Sequence, residues 1–225
     1  GRIVVRTIFL SAALIGLAGA FYVSSAGTLS TSVTNDVGWT GIVVAWLAKL
    51  NTVGIVITAL LITVLQFGCQ AASTTYSSID ANFADLIQGI ICSPSWPRTS
   101  SPASVWRGAP QPQGGVQMNA SIDVLTLFLF NIVLVNIPLL YGTVGEIVTE
   151  KAGSLNLGVE GTMAIGAIFG YLAGCMANSL LVGLLVSFLA AGLCGALFAL
   201  LTVSLQANQN VTGLTITTFG LGLYF

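Results

Sequence analysis

LLVGLLVSFLAAGLCGALFALLTVSL, Leu180 to Leu205, holds no charged side chain and no proline. An α-helix needs roughly 20 apolar residues to cross a hydrocarbon layer about 30 Å thick, and this run exceeds that. Thr7 to Val23, Val53 to Gly68, Val124 to Tyr141 and Thr162 to Ala177 are also free of charge. A sixth apolar stretch opens near Gly213 and continues to Phe225. These runs are too long and too continuous for the alternating strands of a membrane barrel. The expected fold is all-α: a polytopic transmembrane helical bundle.

The rest of the composition agrees. Of 225 residues, 55% are hydrophobic and only 6% charged, whereas a soluble domain carries about 25% charged residues. Six Lys/Arg and seven Asp/Glu cannot coat a globule of this size, so the apolar surface has to face lipid. A net charge of -1 gives no reason to expect nucleic acid as a partner. Cys69, Cys92, Cys175 and Cys194 are scattered without metal or redox spacing, so no metal site is expected. The chain has no histidine, and its spans hold no Ser/Lys or paired-Asp constellation, so it reads as a non-enzyme. Thr7 to Val23 follows Arg2 and Arg6 as the apolar core of a signal peptide would. Gly1 in place of Met points instead to an internal start.

Two apolar halves flank a polar stretch, CSPSWPRTSSPASVWRGAPQPQGGVQ, Cys92 to Gln117. It contains Pro94, Pro97, Pro102, Pro110 and Pro112, a density that prevents a helix, and its Ser/Gly/Gln filler offers no core. A disordered linker at 92–117 is expected, with Trp96 and Trp106 able to dip into the membrane interface. Arg98 and Arg107 favour a cytoplasmic linker, and Arg2 and Arg6 a cytoplasmic start to the first helix.

Both halves contain interruptions. Ser24 to Thr40 reads as a polar loop, and Gly41 to Leu50 is an apolar piece too short to span. Gly142 to Gly161 gathers Glu146, Glu150, Lys151, Asn156 and Glu160 among glycines. Charge and glycine at membrane depth are tolerated where they face protein or a water-filled cavity, so broken or re-entrant segments are expected. Three stripes of small residues at helical spacing argue for closely packed helices: Ala12, Gly16 and Ala20; Gly166, Gly170 and Gly174; Ala191, Gly195 and Ala199.

GEIVTEKAGSLNLGVEGTMAIGAIFGYLAG, Gly145 to Gly174, resembles the signature of ABC-importer permeases of the nucleoside and basic-membrane-protein class. That class is related to the ribose and branched-chain amino-acid permeases. The match rests on Glu150, Lys151, Ala152, Gly153, Asn156, Gly158, Glu160 and Gly161. ANQNVTGLTITTFGLGL, Ala207 to Leu223, is similar to a later pattern of the same family. The first half resembles the C-terminal third of the sister permease, through LSAALIGLAGAFYV, GWTGIVVAWLAKLNTVGIVITALL and IDANFADLIQGII. The turn at Lys49, Leu50, Asn51 and Thr52 is a looser match. The implied organisation is a C-terminal permease fragment at 1–91, a linker at 92–117 and an N-terminal permease fragment at 118–225. Such a linker would be a readthrough or frameshifted stretch joining neighbouring genes, with Met118 a natural start for the second. A natural fusion is the alternative.

The resemblance implies a multi-pass protein of a bacterial or archaeal cytoplasmic membrane, forming half of an alternating-access pathway. It implies four kinds of partner: a sister permease subunit, ABC ATPase subunits, an extracytoplasmic substrate-binding protein or lipoprotein, and the lipid bilayer. No cofactor is expected on this chain. It has no Gly-x-x-x-x-Gly-Lys-Ser/Thr run, so ATP would be hydrolysed by a separate subunit. The sister's cytoplasmic coupling segment would lie upstream of Gly1, so the chain by itself is not expected to transport. Nucleosides are the first expectation for the solute and simple sugars the second. Asn156, Glu160, Asn208, Gln209, Asn210 and Thr212 are the candidates for lining the route. For Asn156 and Glu160 the structural alternative is a capping box opening the next helix. For Asn208 to Thr212 it is a hydrophilic loop, or an ATPase contact. A channel or secondary transporter would need ion-coupling carboxylates inside the spans, where only Asp123, near a helix start, is expected.

Overall fold

The computed structural model describes residues 2–27, 29, 34, 36–75, 83–92 and 121–223, apart from the side chains of 74, 75, 91, 92 and 121–125. The stretch 93–117 lies outside the described residues. So do the disorder expected of it, its two tryptophans, and the cytoplasmic placement of Arg98 and Arg107.

Eight α-helices and no strand occur among the described residues. They are α1 (Arg2–Ala26), α2 (Val37–Leu47), α3 (Thr52–Thr75), α4 (Phe83–Cys92), α5 (Ser121–Lys151), α6 (Val159–Ala177), α7 (Leu180–Ala199) and α8 (Gln209–Gly222). Five helices are long and apolar enough to cross a membrane: Arg2–Ala26, Thr52–Ser73, Thr126–Lys151, Val159–Ala177 and Leu180–Ser204. The chain is a multi-pass membrane protein. With 11 residues, α2 spans about 16 Å, roughly half of a hydrocarbon layer, and the 10 residues of α4 reach no further.

Two expected boundaries move. The helix α1 runs on through Ala26 and α2 begins at Val37, so the loop between them is shorter than Ser24 to Thr40. The expected interruption at Gly142 to Gly161 shrinks further, because α5 continues unbroken to Lys151 and only 152–158 is non-helical. Glycine disfavours a helix by about 1 kcal/mol, and packing outweighs it here. A Cβ on Gly145 would lie 3.0 Å from the Ser11 carbonyl oxygen and against the Ile15 side chain. Its absence is what lets α1 lie on this turn.

The chain divides into two compact units. One is made of residues 1–59 and 134–225, the other of residues 60–133. In the second unit α4 leaves Phe83, Leu86 and Ile90 exposed and buries Ala84. In the first, α1, α6 and α7 form the centre. Contacts of Gly16 with Ala191, Gly192 with Phe9 and Gly195 with Ile8 and Ala12 show α1 and α7 running antiparallel. Gly166 lies against the backbone of Gly16, where a Cβ on Gly166 would collide, and a Cβ on Gly16 would meet Ala191 instead. Gly170 lies 2.9 Å, measured from an added Cβ, from the Ser187 side chain, while Gly174 has nothing nearer than 3.6 Å. Ile8, Ile165, Cys194, Phe198, Ala199 and Ile216 close the core toward the start of α1. The Ser187 hydroxyl donates to the Gly16 carbonyl at 2.7 Å, a buried bond between α7 and α1.

Candidate functional site: the buried turn between α5 and α6

The interruption at 152–158 collects buried polar groups that an apolar bundle has to satisfy internally. Glu146, on the last turns of α5, is fully buried. One of its carboxylate oxygens accepts from the Asn156 N–H at 3.3 Å, and the other has no partner. The Ser154 hydroxyl is likewise buried without a partner. Gly153 has φ +83°, a left-handed conformation that glycine adopts freely, and it reverses the chain after α5. Contact between α5 and α1 holds the start of this turn against the bundle. Ser11 donates to the Gly145 carbonyl at 2.6 Å and pairs with the Thr149 hydroxyl. Ser11 is about 14 Å along α1 from Arg2. The spans therefore do contain a buried carboxyl group, contrary to the expectation that only Asp123 would stand there. The expectation failed because α5 was read as ending at Tyr141.

Asn156 and Glu160 do not form a capping box. Gly158 is the N-cap of α6 and makes no side-chain cap bond. The Asn156 Oδ1 accepts from the Gly158 N–H at 2.9 Å, an Asx turn one step ahead of the helix. Glu160 reaches to another element. Its Oε2 accepts from the Trp39 N–H at 3.3 Å, in the first turn of α2, where helix N–H groups lack partners of their own. Gly38 permits this approach, since a Cβ there would lie 2.8 Å from the Glu160 Cα. At the other end of α2, the Trp46 indole N–H donates to Glu150 Oε1 at 2.6 Å. Two carboxylates flanking the turn thus hold both ends of the short helix. Sequence reasoning missed Trp39, Trp46 and Gly38, because nothing local links them to residues more than a hundred positions away.

The α8 candidates divide. Gln209 joins the turn, its side-chain oxygen accepting from the Leu155 N–H at 3.1 Å, and Thr217 donates to the Leu157 carbonyl at 2.9 Å. Asn208 caps α8, accepting from the N–H groups of Asn210 and Val211. Asn210 is exposed. Thr212 lines an apolar groove of about 600 Å³ between α6, α7 and α8, beside Ile165, Leu193 and Phe219. Asn156 and Gln209 therefore both hold the turn, Glu160 reaches from it to α2, and Asn208, Asn210 and Thr212 serve α8 or its groove.

Residues 128–225, which hold this turn and α6 to α8, match the profile of a family described as the permease component of the branched-chain amino acid transport system. Over 85 residues the chain is 38% identical to a Haloferax volcanii protein named as a glucose ABC transporter permease, covering 38% of this chain and 26% of that relative. Over 100 residues it is 32% identical to a nucleoside ABC transporter permease of Lactococcus lactis, covering 41% of this chain and 31% of that relative. The chain thus spans only about a quarter to a third of the curated relatives it matches. No solved structure matches it. Among the described residues of this segment, charge enters the apolar bundle only around this turn.

Proposed function

We propose that the bundle forms part of the translocation subunit of an ATP-binding-cassette importer for small, hydroxylated, uncharged solutes. Nucleosides are the first choice and simple sugars the second. The observation that carries this reading is the buried polar turn at 152–158, set within a segment that matches a permease family. Asn156 and Glu160 are almost fully enclosed and already bonded. Their role in this reading is to hold the wall of the route and the short helix α2, not to touch the solute. The glucose and nucleoside permeases among the similar proteins favour a polyhydroxylated solute.

Energy would come from separate ATPase subunits, with a sister permease completing the pathway and an extracytoplasmic binding protein delivering the solute. The α7–α8 loop and exposed Asn210 offer such an ATPase a polar surface at the end of the bundle that carries Arg2 and Arg6. Residues 92–117 would join the end of one permease to the beginning of its sister, a reading supported by the match beginning only at 128. Sequencing the source DNA across codons 88 to 118 and the flanking genes tests both points. Full permease frames on either side, with an ATPase gene beside them, are expected. A continuous short frame with no ATPase gene nearby would count against the proposal.

A further inference from the structure

Among the described residues, many of the contacts that build the first compact unit link residues 1–59 with residues 134–225. Gly16 sits against the Gly166 backbone and Ala191, and Gly195 against Ala12. Ser11 bonds to Gly145 and Thr149, Ser187 to Gly16, Trp39 to Glu160 and Trp46 to Glu150. Each of these pairs takes one member from each side of the 60–133 stretch. The permease match covers only the second partner of each pair.

Membrane helices associate through close packing at small residues and through interhelical hydrogen bonds, neither of which needs a covalent link once both pieces are in the bilayer. Both are present here, at backbone-to-backbone distance. A tether raises effective concentration without adding contacts.

We propose that residues 1–59 are a docking partner for the 134–225 segment, held by the α1–α6–α7 packing and the carboxylate grip on α2, and that a covalent connection between the two is dispensable for their association. This stands on packing alone, independent of whether the protein transports anything.

The test uses the full chain with a protease site replacing residues 101–106, a C-terminal tag, and Cys69, Cys92, Cys175 and Cys194 changed to Ser. After insertion into membranes and cleavage, the tagged piece is captured in mild detergent. The N-terminal piece should be retained in equal amount, and a second chain bearing Ser11→Cys and Thr149→Cys should become cross-linked before and after cleavage. Gly16→Leu should abolish both retention and cross-link. Loss of the N-terminal piece from a chain that cross-links when uncut would overturn the proposal, because the fold would then depend on the tether. Retention without the cross-link would overturn it too, as association without the described packing. So would retention unchanged by Gly16→Leu.

Discussion

At the residue scale, Glu160 shows why the candidate site was only half legible. The spacing of Asn156 and Glu160 suggests one helix face, but the helix starts between them, so each turns to a different task. The bond that defines Glu160 runs to Trp39, 121 positions away, and no local pattern signals it. Glu160→Ala should leave the first turn of α2 without its acceptor. Interhelical hydrogen bonds in membranes are worth about 0.6 kcal/mol on average and up to about 1.7, so a loss in that range is expected. Glu160→Gln keeps an oxygen and should lose less. Unfolding in detergent, followed by tryptophan fluorescence, checks both variants. Equal losses would mean that the Trp39 contact contributes nothing. Gly38→Ala should be worse than either, because its Cβ would meet the Glu160 backbone, which no rotamer change relieves.

Elements were easier to read where apolar length decided them and harder where packing overruled local preference. The charge-free cores of α1, α3, α5, α6 and α7 were each visible in the sequence. The last turns of α5 were not, since two glycines and two glutamates argued for a break that the α1 contact cancels. The stripes of small residues are unequal in ways that spacing does not reveal. Gly166→Ala should destabilise by about 1–3 kcal/mol, because the new methyl meets the Gly16 backbone. Gly174→Ala should be close to neutral, its nearest neighbour lying at ordinary contact distance. Ser187→Ala removes a buried bond yet should cost only about 0.6 kcal/mol, so close packing outweighs hydrogen bonding between α1 and its neighbours. Ranking the three by denaturant midpoint tests that order. Ser187→Ala exceeding Gly166→Ala would reverse it.

For the whole molecule, charge gives the orientation. Arg2 and Arg6 open α1 next to Val203 and Ser204, just beyond the end of α7. Lys151 closes α5, which runs antiparallel to α1, and Lys49 follows Trp46, which is bonded to Glu150. The four described cations therefore gather at one end, which the positive-inside rule assigns to the cytoplasm. With native cysteines replaced, Leu205→Cys should react with an impermeant thiol reagent only in inside-out vesicles. Met176→Cys, at the opposite end of the α6–α7 hairpin, should react only in right-side-out ones; the reverse pattern would invert the bundle. Sequence showed that the chain spans the membrane, yet this gathering needed the antiparallel packing of helices far apart in the chain. The most direct test of the functional account is uptake of labelled uridine and glucose by vesicles holding the intact permeases that contain these two segments. Accumulation that requires both the ATPase subunits and ATP is the predicted result. Accumulation driven by an ion gradient without the ATPase would contradict it and make the buried Glu146 a coupling group instead.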